Sequence, residues 1–190
     1  MWMCAGRGWL GGIDLASLSH WLGFGIYALA GFVVLARARD DASAVRRGEL
    51  AAPRFWLVIA CALFILGVNK LFEFGELLTM AGRCAAISTG WYAERREFAG
   101  DYASAVAMFG AIGFWAAARG LGANFRGLAG PLAAFAVLDG YVVFRAASFH
   151  GVDAILRKGA AGLSLGALIE LGLLVIIVAS ARTTGPSPRR

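Results

Sequence analysis

The chain has 190 residues, 59% of them hydrophobic and 16% charged, with 26 glycines, four prolines and a net charge of +6. An ordinary soluble domain sits nearer about 45–50% apolar and about 25% charged, so this composition excludes one. The positive charge does not indicate nucleic acid either, because the basic residues flank apolar blocks and form neither an aromatic-interleaved patch nor a known recognition motif.

The first twenty residues, "MWMCAGRGWLGGIDLASLSH", hold one early arginine, Arg7, but no clean apolar core followed by a small-residue cleavage site. They are not read as a cleaved signal peptide, and the first span is expected to serve as its own insertion signal. Apolar blocks long enough to cross a hydrocarbon core, which takes about 20 helical residues, follow in order. They run from Leu18 to Ala36, Phe55 to Met80, Tyr102 to Ala118, Leu128 to Ser148 and Gly162 to Ala181. The fold class is therefore all-α: a polytopic transmembrane helical bundle of about five spans, with residues 1–190 as one domain.

Between the first two blocks, "RARDDASAVRRGELAAPR" (residues 37–54) mixes charges, small residues and a proline, and is expected to be a solvated inner loop. "STGWYAERREFAGDY" places Trp91 and Tyr92 beside charges, as in the aromatic belt at a headgroup layer. No proline interrupts Phe55 to Phe98, so the second helix is expected to project past the membrane. The tail at 182–190, rich in breakers, is expected to be disordered.

Five spans with the N-terminus outside put ten basic residues on the inner side and six on the outer, and the first connection alone supplies five of the ten. This asymmetry predicts a multi-pass membrane protein with its N-terminus outside and its C-terminus on the cytoplasmic side. Three cysteines give neither a metal spacing nor a paired framework. Cys4 and Cys84 share the oxidising side in this orientation, so a bridge between them is open.

Glycine use suits close helix packing in lipid. Gly162 and Gly166 form a GxxxG pair, and Glu170 continues the same four-residue step, so its carboxylate is expected to face inward.

The chemistry-bearing residues are charges inside or beside the spans. In "LGVNKLFEFGELLTMAGR", Asn69, Glu73, Glu76, Met80 and Arg83 advance by four, three, four and three residues, which keeps them on one helical stripe. Lys70 lies at its edge, three residues from Glu73 and close enough to pair with it. The fourth block adds Asp139 and Arg145, with Ser148, His150 and Asp153 at its boundary. In the expected topology Glu73, Glu76, Arg145, His150, Asp153 and Glu170 lie in the outer half, and His20 lies there as well. Lys70 and Arg145 oppose Glu73, Glu76, Asp139 and Glu170, an acidic surplus of two. Two readings follow. The charges neutralise one another and fix helix register, with any surplus removed by protonation of a desolvated carboxylate. Alternatively, the surplus draws a cation, proton or basic group into an outward-facing polar cavity.

Imidazoles and carboxylates suit zinc, copper or non-haem iron, but there is no HxxxH or HExxH, so a metal centre would need His20 and His150 from different helices. No GxxxxGK[ST] run and no credible nucleophile and base pair is found, and no cofactor is specified.

Gly67, Asn69, Lys70, Gly82 and Arg83, "GWYAERR" from Gly90 and "ASFHGVD" from Ala147 resemble recurring features of uncharacterised small bacterial multispanning membrane proteins. The resemblance runs from the second span to the boundary of the fourth. It implies an acidic residue in an "NKQLD"-like run and a His-His pair; here Glu73 stands for the expected Asp, and Gly151 occupies the second His position. It implies no activity.

The first functional expectation is a noncatalytic accessory or stabilising subunit of a larger membrane assembly. The second is an intramembrane metal- or ligand-binding enzyme using the outer polar residues, and the third is a small transporter or proton-coupled device. Expected partners are membrane lipids and either a membrane protein or a second copy of the chain, with no nucleic acid.

Overall fold

A computed structural model describes residues 18–46, 52–90, 108, 110–122, 125–146, 159–160 and 163–184. The fold is all-helical apart from a two-residue antiparallel pair, Gly159–Ala160 with Leu163–Ser164, that leads into the last helix. The helices are α1 (Leu18–Arg46), α2 (Pro53–Phe72), α3 (Phe74–Thr89), α4 (Phe125–Ala146) and α5 (Leu165–Thr183). Residues 110–121 are also helical. Among the described residues four helices are long and apolar enough to cross a membrane, namely α1, α2, α4 and α5. Of the block expected at Tyr102–Ala118, residues 102–107 and 109 lie outside the described set.

Two boundaries depart from the expectation. Residues 37–46, expected in a solvated loop, extend α1 instead. Its 29 residues measure about 44 Å against a hydrocarbon core of about 30 Å, so the helix runs on past the apolar layer. Ala-rich sequence supports the extension, and side chains lock it. Arg37 pairs with Asp41 one turn on, and Asp41 also accepts the backbone N–H of Ala52 at 2.9 Å. Asp41 is 1% exposed. This contact ties the far end of α1 to the start of α2, where Pro53 takes the first-turn position that needs no N–H donor.

The second departure is at Glu73, where the block read as one helix through Met80 breaks. Glu73 has φ 48° and ψ 47°, the only positive φ at a non-glycine among the described residues, and its N–H bonds the Asn69 carbonyl at 2.8 Å. α2 thus spans 20 residues, about 30 Å, and α3 begins as a separate helix that packs against α4.

α1 and α2 form the tightest pair. Tyr27, Ala30, Val34 and Ala38 recur at helical spacing on α1 and meet Trp56, Ile59, Ala60 and Leu63 of α2. Small residues permit the approach: a Cβ on Gly67 would stand 3.1 Å from the Tyr27 Cβ, and one on Gly31 would stand 3.0 Å from the Phe64 ring. α5 packs on both α1 and α4, bringing Leu174, Ile177 and Ala181 to the same core as Leu128 and Leu138. The outward surfaces carry Leu29, Phe32, Val58, Ile65 and Val175, each more than half exposed. An apolar surface of that extent fits lipid as its solvent.

Candidate functional site

Each helix that meets at one end of the bundle brings a polar residue on its packed face. On α1 that face is His20, Gly23, Tyr27, Ala30 and Val34, spaced by three and four. On α5 it is Gly166, Glu170, Leu174, Ile177 and Ala181, all buried. Glu170 is 7% exposed, so the inward position expected from its register with Gly166 is the observed one. α5 starts cleanly because Ser164 caps it, its hydroxyl accepting the Ala167 N–H at 3.2 Å.

Lys70, in the last turn of α2, reaches across to this carboxylate. Its Nζ lies 2.8 Å from Oε1 and 2.6 Å from Oε2 of Glu170, and 5.7 Å from the centroid of the Tyr27 ring. The Tyr27 hydroxyl donates to Glu170 Oε2 at 3.1 Å. Gly23 leaves room for the aliphatic stem, since a Cβ there would already sit 3.6 Å from Lys70 Cβ. Three helices thus converge on one carboxylate. The expected partner of Lys70 was Glu73, on the assumption that the helix continued; the break at Glu73 removes that geometry. Glu73 pairs instead with His20, Nε2 to Oε1 at 3.3 Å, with side chains 23% and 34% exposed.

Depth along the helices sets the cost. Lys70 is two residues from the end of α2, His20 two from the start of α1, and Glu170 five from the start of α5. At about 1.5 Å per residue all lie within about 8 Å of one end, well short of the midplane, where a lone charge costs about 2.5–3.5 kcal/mol. A pair at this depth, with a hydroxyl donor and an aromatic face beside it, is affordable where an unpaired charge is not.

The remaining expected residues divide. Asn69 is half-buried in α2 and serves through its backbone carbonyl. Glu76 is in α3 and Arg145 in α4 by backbone, and their side chains lie outside what is described, as do His150 and Asp153 altogether. Asp139 is exposed on α4. Among the described residues no three His, Cys, Asp or Glu side chains gather as a metal-ligand group. Cys61 is a free, exposed thiol and Cys84 is disulfide-bonded, while Cys4, the other half of the bridge considered above, lies outside the described residues.

Two contributors escaped the sequence reading. Tyr27 could have been suspected from its place between Gly23 and Gly31 on one face, since small neighbours mark a close approach. The Arg37–Asp41 pair has the i,i+4 spacing of a helical ion pair, inside a segment whose mixed charges and proline point to a loop. Comparison with family models, with curated proteins and with solved structures finds no match for this chain.

Proposed function

We propose that this integral membrane protein is a noncatalytic accessory or stabilising subunit of a larger assembly in a bacterial inner membrane, with its N-terminus outside. The observation that carries the reading is the Lys70–Glu170–Tyr27 junction: the buried carboxylate is answered by a lysine and a tyrosine of two other helices, so these groups are engaged in joining α1, α2 and α5. The disulfide at Cys84, towards the far end of α3, supports the orientation, because disulfides persist on the oxidising side. Purification in a gentle detergent followed by mass spectrometry tests the role. A subunit copurifies with a partner in fixed stoichiometry; recovery as a lone monomer with a tightly held small ligand overturns it.

A second reading is favoured by one contact. His20 and Glu73 put an imidazole and a carboxylate from different helices at a left-handed turn, both partly exposed. That supports an outward-facing ligand or metal site, for which elemental analysis of wild type and His20→Ala is the direct measurement. Metal retained by the first and lost by the second supports it, and the absence of metal from both refutes the metal form.

A further inference from the structure

Beside the α1–α5 seam runs a groove of about 510 Å³ whose lining is apolar except at one end. Ala30 and Leu174, 4% and 3% exposed, make its floor, while Leu29 and Val175, 67% and 59% exposed, stand up as walls. Arg182, in the last turn of α5, closes the polar end. The guanidinium is exposed and makes no ion pair among the described residues.

We propose that this groove is a binding site for one acyl chain of an anionic phospholipid, with the headgroup phosphate on Arg182. Length supports a lipid. From Leu171 to Arg182 the groove follows α5 for eleven residues, about 16 Å, which matches one leaflet of a hydrocarbon core about 30 Å thick. Charge supports an anionic one, since a guanidinium that makes no ion pair among the described residues complements a phosphate at headgroup depth and forms charge-assisted hydrogen bonds with it. The same end of the bundle carries exposed Arg39 and Arg46, which add to its attraction for an anion and oppose a second copy docking in parallel. The proposal needs only that α1 and α5 cross a bilayer, not that the chain is a subunit, so it survives or fails separately from the role assigned above.

Native mass spectrometry of the detergent-purified full chain, titrated with phosphatidylglycerol and phosphatidylcholine of identical acyl chains, tests it. Wild type should favour phosphatidylglycerol by about fivefold, the effect of one cation at a charged lipid surface. Arg182→Gln should abolish this preference and leave phosphatidylcholine binding unchanged. Ala179→Phe, at an exposed position lining the groove, should weaken both lipids while thermal unfolding of the lipid-free protein stays at the wild-type value. Persistence of the phosphatidylglycerol preference in Arg182→Gln, or wild-type lipid binding by Ala179→Phe, overturns the proposal. So does loss of a dimer in Ala179→Phe with lipid binding intact, which would make a second copy the occupant.

Discussion

Replacing Lys70 by Met tests the junction of three helices most sharply. The methionine keeps the apolar stem beside Gly23 and removes the charge, leaving Glu170, 7% exposed, with the Tyr27 hydroxyl but without the ammonium. Breaking a buried pair by removing one partner costs about 3–5 kcal/mol, and the lower end applies here because the lysine side chain keeps 26% exposure near a helix end. About 3 kcal/mol should lower the melting temperature in detergent by roughly 6–12 °C for a chain of this size. Adding Glu170→Gln should recover most of the loss, since the amide still accepts from Tyr27 and no uncompensated charge remains. Adding Glu73→Gln should recover nothing, although Glu73 lies three residues from Lys70 and Glu170 a hundred. Circular-dichroism melts of these four proteins and of the single Glu170→Gln and Glu73→Gln variants give the two couplings. Rescue by Glu73→Gln without rescue by Glu170→Gln would refute the cross-helix pairing.

Gly67→Ala should destabilise by about 1–2 kcal/mol, because the new methyl meets the Tyr27 Cβ at 3.1 Å and that atom is anchored to the backbone; Gly25→Ala, with nothing within 4 Å, should be neutral or stabilising in the same melts. Asp41→Ala should cost about 2–3 kcal/mol by freeing the Ala52 N–H and stranding Arg37, and should speed proteolysis between α1 and α2. In a Cys61→Ser background, single cysteines at positions 47 and 187 should react with an impermeant maleimide only from the cytoplasmic side; strong labelling from outside overturns the orientation.

What could be read from sequence was what repeats along one helix. The ends of α4 and α5 fall within a few residues of the apolar blocks, and the inward face of Glu170 followed from its step from Gly166, because burial on a helix is periodic. Residues 37–46 depart from the loop expectation because mixed charge is as compatible with a helix as with a loop, and the charged helix is stable once Asp41 is shared by Arg37 and Ala52. The pairing of Lys70 with Glu170 was beyond reach for a different reason. Contact between residues a hundred apart depends on which helices are neighbours, and composition does not specify that.

Glu73 shows where local and tertiary demands part. A continuous helix from Pro53 to Thr89 would measure about 55 Å, far beyond the apolar layer, so the chain must turn or project. Gly75, two residues on, could take a left-handed turn without steric cost, yet it is helical and Glu73 makes the turn. The carboxylate there meets His20, and the rings of Phe72 and Phe74 stack at 5.7 Å across the bend. Holding a side chain in this conformation costs about 1–2 kcal/mol, which these contacts must offset. The sign of one comparison follows. Inside a helix alanine beats glycine by about 1 kcal/mol, but at a left-handed position the order reverses. Glu73→Ala and Glu73→Gly both lose the His20 contact, so their difference isolates the backbone, and the glycine variant should be the more stable by about 1 kcal/mol in detergent melts. A more stable alanine variant would mean that the helix runs through position 73, which would restore the single stripe from Asn69 to Arg83 and with it the geometry for a Lys70–Glu73 pair.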